Sequence, residues 1–230
     1  METWKGPKPE LDARVARRVA DHLRETLRGK PAAVLGLVGG RSVGGIYAEL
    51  AREDLPWDRL HVFLADERLV PITSDESNYR LVHADLLDGL VRSGRFPEAN
   101  AHACTPEPAD PRPGIEAYGR DLDALGGRFD VAILSAGEDG HCASLFPRHP
   151  SVEDPGDRFL LVEASPKPPP RRVSASRTLL ERSGLGVVVF YGEGKRDALR
   201  LFRDASLDVR SCPSKLVASI TPSYLVTDLD

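Results

Sequence analysis

The chain has 230 residues, and 31 Lys plus Arg against 35 Asp plus Glu leave a formal charge of −4. That balance argues against a nucleic-acid partner, which calls for a net basic face, while leaving room for a local pocket that holds one small anion. Hydrophobic residues at 41% supply a buried core, no uncharged apolar run approaches the ~18 residues of a membrane helix, and METWKGPKPE lacks the layout of a signal peptide, so a soluble cytoplasmic protein is expected.

Residues from Pro9 to about Arg28 predict an amphipathic helix, because Leu11, Val15, Val19, Leu23 and Leu27 recur every four residues among charged neighbours. Gly29 and Pro31 stop it. Ala32–Val38 is a short apolar run that suits a strand covered on both faces. Gly39-Gly40-Arg41-Ser42 follows, and Val43–Arg52 resumes a helical period. The same alternation returns as a strand at Leu60–Ala65 before Asp66-Glu67-Arg68, and a helix over Asn78–Leu90. Phe129–Ser135 is a further strand, ending in Gly137-Glu138-Asp139-Gly140-His141. Gly186–Tyr191 runs into Gly192-Glu193-Gly194-Lys195 and a helix through about Phe202, and Tyr224–Thr227 is a last short strand. The proline-rich stretches Cys104–Gly114 and Ser165–Pro170 read as surface connections, neither helix nor central strand.

This alternation predicts an α/β fold: a single Rossmann-like domain over 1–230, with a mostly parallel sheet and helices on both faces. In such sheets the strands' C-terminal ends share one edge, where ligands bind. The four loops GGRS, DER, GEDGH and GEGK all fall there.

Gly39-Gly40-Arg41-Ser42 joins a buried strand to a helix, which is either an anion-binding loop or a tight turn with Ser42 as helix cap. It is not a Walker A loop, since Gly45-Ile46 stands where Lys-Ser/Thr belongs. No GxGxxG follows any strand, which argues against a dinucleotide. Lys195 opens a helix, where a cation is unfavourable unless it meets a bound phosphate; pairing with Glu193 or Asp197 is the plainer alternative. Asp66-Glu67-Arg68 also fits ordinary surface charge at a strand end, and Arg172 is either a solvated loop residue or a two-pronged phosphate clamp. His141, in a glycine-flanked acidic loop, is the best acid/base candidate, with Asp139 placed to orient its ring. The other histidines show no metal-ligand spacing with it, and Cys142 is adjacent in sequence, too close to face its ring. Three cysteines make no disulfide framework. These residues alone point to hydrolysis or isomerisation of a small phosphorylated metabolite.

The stretches LVGGRSVGGIY (37–47), FLADERLVP (63–71), DESNYRLV (75–82), FDVAILSAGEDGHCASLFP (129–147), PKPPPRRVSAS (166–176) and VVVFYGEGKRDAL (187–199) together resemble the 6-phosphogluconolactonase family. Its superfamily also holds the glucosamine-6-phosphate deaminases. The resemblance implies hydrolysis of 6-phospho-D-glucono-1,5-lactone in the oxidative pentose phosphate pathway, without cofactor or metal. It casts His141 as general base, Asp139 and Asp66 as ring-hydroxyl or histidine partners, and Lys195, Arg172 and Ser42 as holders of the 6-phosphate. Backbone N–H groups of Gly39, Gly40, Arg41 and Ser42, with Arg68, are the candidate oxyanion donors. The expected partner is the phosphorylated sugar lactone alone, with no nucleic acid or membrane, on a monomer or weak homodimer.

The first loop departs from the family's S-G-G-S-T-P pattern at Val38, Arg41 and Val43, and Leu69 replaces the usual Trp after DER. These changes bear on phosphate binding and leave the base untouched. The sister deaminases carry a glutamate five residues after the histidine, where this chain has Phe146, and a tyrosine where it has Arg68. A non-catalytic sugar-phosphate-binding protein is the third reading, and loss of His141 or Lys195 would be its mark.

Overall fold

The computed structural model describes residues 1–230. In chain order the elements are β1 (Glu2–Lys5), α1 (Lys8–Gly29), β2 (Ala33–Leu37), α2 (Gly44–Leu50), β3 (Leu60–Leu64), β4 (Asp66–Arg68), α3 (Asn78–Val82), α4 (Asp88–Arg92), β5 (Ala101–His102), α5 (Arg112–Asp123), β6 (Val131–Ser135), β7 (Phe159–Val162), β8 (Arg172–Ala175), α6 (Arg177–Glu181), β9 (Gly186–Phe190), α7 (Arg196–Arg203) and β10 (Ser223–Thr227). Seven strands form one parallel sheet in the order β1-β10-β9-β6-β2-β3-β5, with helices packed against it.

The apolar runs became the central strands because β2, β9 and β10 are buried at every position. The four-residue spacing of α1 puts Leu11, Val15, Val19, Leu23 and Leu27 on its buried face. Asp130, also buried, ties the sheet's centre together: it accepts the Val34 N–H at 2.9 Å and pairs with Lys30 at 2.6 Å. Consecutive strands progress outward from β2 through β3 to β5, and from β6 the other way. The loops after β2 and β6 therefore diverge, opening a crevice between them at the sheet's C-terminal edge.

Several expectations need correction. Asp66-Glu67-Arg68 is no loop: it is β4, in a second, antiparallel sheet ordered β4-β8-β7, with Asp66 opposite Ser174 and Arg68 opposite Arg172. A polar triplet one residue after β3 carries no apolar alternation, so only its pairing reveals it. The Ser165–Pro170 stretch, by contrast, is a connection as expected, joining the hairpin strands β7 and β8. The Cys104–Gly114 stretch ends inside α5, because a proline in a helix's first turn removes only an N–H that has no intrahelical partner. The Asn78–Leu90 helix is α3 and α4 joined by a π-helical turn over His83–Leu87. Lys195 closes a 3-10 turn, and α7 starts one residue later.

Candidate active site

A cleft of about 670 Å³ opens at this edge. It is lined by Gly39, Gly40, Arg41, Ser42, Asp66, Arg68, His141, Arg172 and Lys195, so the loops expected to converge do so. Gly40 has φ +121°, which L side chains rarely adopt, and this lets the chain turn out of β2 above the cleft. The cap of α2 is Val43, with no side-chain hydrogen bond, so the Ser42 hydroxyl is not spent on capping. Position and backbone geometry rule out the cap expectation, since Ser42 lies one residue before the helix entry.

The loop after β6 folds back on itself. Gly137 N–H donates to His141 O at 2.8 Å and Gly140 N–H to Gly137 O at 3.0 Å. His141 Nδ1 lies 2.5 Å from Asp139 Oδ1, an oxygen that also accepts the His141 backbone N–H at 3.2 Å. A carboxylate only accepts, which assigns the neutral ring's hydrogen to Nδ1 and leaves the lone pair on Nε2, an atom with no protein partner. Burial would raise the Asp139 carboxyl. The hydrogen bond and charge of His141, with Lys167 nearby, more than offset this and hold it well below the usual carboxylate range. Cys142 is wholly buried, and burial pushes its thiol up, away from the thiolate a nucleophile needs.

Asp66 and Glu67 are buried rather than solvated. Asp66 accepts from Ser144 Oγ at 2.7 Å and Asn78 Nδ2 at 3.1 Å, with Arg172 Nη1 at 3.9 Å; it does not touch His141. Glu67 accepts the N–H groups of Arg68, Asn78 and Tyr79 at 2.7, 2.8 and 2.7 Å and the Ser77 hydroxyl at 3.0 Å. Burial raises its carboxyl, with those backbone N–H groups working in the opposite direction. It thereby fixes the start of α3, and with it Asn78 in the cleft wall.

Arg172 is buried, and its guanidinium is partly committed. Nε donates to Pro169 O at 3.1 Å and Nη2 to Pro168 O at 2.9 Å, leaving Nη1 near Ser144 and Asp66. It has no free two-pronged edge. Lys195 has neither expected partner, because Glu193 pairs with Arg196 and Asp197 with Arg200. The Lys195 ammonium is half-buried, and burial lowers its pKa.

Sequence reasoning missed Lys8, Asn78, Lys167 and Tyr191, which also line the cleft. Asn78 Oδ1 and Arg68 Nε are buried there without protein partners, polar valences that suit a ligand. A lysine set among prolines and an asparagine in a Ser-Asn helix entry were the available signals.

A sequence model described as glucosamine-6-phosphate isomerases/6-phosphogluconolactonase matches residues 7–225. A 6-phosphogluconolactonase of Borreliella burgdorferi is 31% identical over 192 residues, covering 84% of this chain and 81% of that protein. The crystal structure of a 6-phosphogluconolactonase from Thermotoga maritima superposes with a TM-score of 0.79 at 26% identity, covering 98% of this chain and 96% of the other. A monomeric glucosamine-6-phosphate deaminase superposes with a TM-score of 0.82 at 19% identity, covering 99% of this chain and 97% of that one. At that identity the likeness is one of fold alone, so the backbone does not separate the two chemistries.

Proposed function

The chain belongs to the glucosamine-6-phosphate isomerase/6-phosphogluconolactonase family, and on that premise we propose that it hydrolyses 6-phospho-D-glucono-1,5-lactone to 6-phospho-D-gluconate. One observation carries this reading: the Asp139-oriented His141, with Nε2 unpartnered, shares a single cleft with the unpaired cation Lys195. A base for water and a holder for phosphate are what a phosphorylated ester requires.

His141 Nε2 takes a proton from water as the water oxygen attacks C1. The carbonyl electrons move onto oxygen, where N–H groups of Gly39–Ser42 and the Arg68 side chain offer donors. As the tetrahedral centre collapses, the bond from C1 to the ring oxygen breaks and the imidazolium returns its proton to that oxygen. The new carboxylic acid then ionises, releasing one proton per turnover. Asp139 keeps Nδ1–H in place throughout and stabilises the transient imidazolium. Asp66 holds Ser144 and Asn78, acting on the cleft wall. Lys195, Ser42 and the Nη1 edge of Arg172 hold the 6-phosphate.

The position that would carry a deaminase's glutamate is Phe146, wholly buried with its ring 4.7 Å from the His141 ring. No carboxylate stands there to open an amino sugar. The test is to supply freshly generated 6-phosphogluconolactone and, separately, glucosamine-6-phosphate. Acid release above the spontaneous rate from the first, with no ammonia from the second, is expected. Ammonia release without lactone hydrolysis would overturn the assignment.

A further inference from the structure

The phosphate end of the cleft is under-supplied by the residues so far assigned to it. Six strongly basic side chains line the cleft: Lys8, Arg41, Arg68, Lys167, Arg172 and Lys195. Lys8 is taken by Asp12 at 2.5 Å, and Arg68 Nη1 donates to Glu76 O at 2.5 Å. Arg172 is turned largely onto protein carbonyls, and Arg41 is exposed. Lys167 and Lys195 remain, both half-buried. Lys167 makes hydrogen bonds only through its backbone, and no carboxylate lies within 4 Å of either ammonium.

The backbone of Lys167 is held from three sides. Ser165 Oγ accepts its N–H at 3.2 Å and donates to its carbonyl at 2.9 Å, and Ser165 N–H donates to Pro170 O at 2.9 Å. The Arg172 guanidinium reaches Lys167 O at 3.4 Å, Pro168 O at 2.9 Å and Pro169 O at 3.1 Å. A chain of prolines held this way loses little further entropy when the lysine engages a ligand. Arg172 therefore presents a cation to the cleft as well as being one.

We propose that Lys167 is a substrate-contacting residue that, together with Lys195, grips the phosphate of the substrate, an inference that rests on the lactonase reading for what that phosphate is attached to. The charge of Lys167 reaches both Lys195, whose ammonium it disfavours while Glu138 and Asp139 favour it, and Asp139, whose carboxylate it favours. Neither ammonium has a carboxylate in salt-bridge contact, and Lys195 is partly desolvated as well. A phosphate of nearly two negative charges would give both ammonium groups a charge-assisted partner at once.

The test compares wild type, Lys167→Met and Lys167→Arg on phosphorylated and unphosphorylated gluconolactone, with calorimetric binding of 6-phosphogluconate alongside. Removing one charge-assisted contact predicts that Lys167→Met lowers the preference in kcat/KM for the phosphorylated lactone about 10- to 100-fold. The fall enters through KM, 6-phosphogluconate affinity drops in parallel, and Lys167→Arg recovers most of both. An unchanged preference with unchanged affinity overturns the proposal. So does an equal loss of kcat on both lactones, which would place Lys167 at the Asp139 end. If wild type fails to hydrolyse lactone yet binds 6-phosphogluconate through Lys167, the lactonase reading falls and the phosphate assignment stands.

Discussion

Gly137 lies directly against the imidazole of His141: a β-carbon on it would sit 1.9 Å from Nδ1 and 2.0 Å from Cε1. No side chain fits in that space, so the glycine is a requirement of the ring's position. Gly137→Ala must push the ring off Asp139 Oδ1 while the surrounding strand stays intact. A displacement of this kind costs catalysis on the order of 100-fold in kcat. Steady-state kinetics with a parallel thermal melt will check this; a fully active alanine variant would mean that the ring has a second productive position.

Asp139 fixes the tautomer that makes Nε2 the base. Asp139→Asn removes the charge and lets the amide offer its N–H to Nδ1, which moves the ring hydrogen to Nε2. The expected fall in kcat is about 100-fold or more, with KM little changed. The same carboxylate bears on acid stability. Its folded pKa lies below the ordinary value of about 3.9, so the unfolded chain binds the proton first as pH falls. The stabilisation is complete above about pH 5 and is lost as pH drops through the folded value. The gap in urea midpoint between wild type and Asp139→Asn should therefore narrow as pH falls below about 4. A gap that widens in acid would contradict the assignment.

Glu67 predicts a different phenotype. Glu67→Ala leaves the N–H groups of Arg68, Asn78 and Tyr79 and the Ser77 hydroxyl without their shared acceptor. The expected destabilisation is about 2–4 kcal/mol by urea unfolding, since each buried donor left unpaired is costly. Glu67→Gln keeps one acceptor oxygen and should lose about half as much. Equal stability of all three proteins would show that water replaces the carboxylate.

The legible parts of this molecule are those whose partners are close in sequence or share a period. The strand runs of β2, β6 and β9 announce themselves by composition, and Asp139 and His141 meet because they lie two residues apart on one tight turn. The parallel order follows from alternation, and so does the convergence of four loops on one edge. What stayed hidden depends on pairing across long separations. Residues 66–68 become a strand only by lying against 172–174, a pairing that local propensity does not encode. That pairing buries Asp66 and places Arg172 beside it, where one side of its guanidinium also braces the backbone around Lys167. Glu67 looked like surface charge because, apart from the N–H of Arg68 beside it, the donors it accepts lie ten to twelve residues later, on Ser77, Asn78 and Tyr79.

The role of His141 as base is tested most directly by proton release from freshly generated 6-phosphogluconolactone by wild type and His141→Ala. Wild-type hydrolysis well above the spontaneous rate is expected, with a fall in kcat of about 100- to 10,000-fold in the variant and unchanged far-ultraviolet circular dichroism. A folded His141→Ala protein that keeps most of the wild-type rate would contradict it.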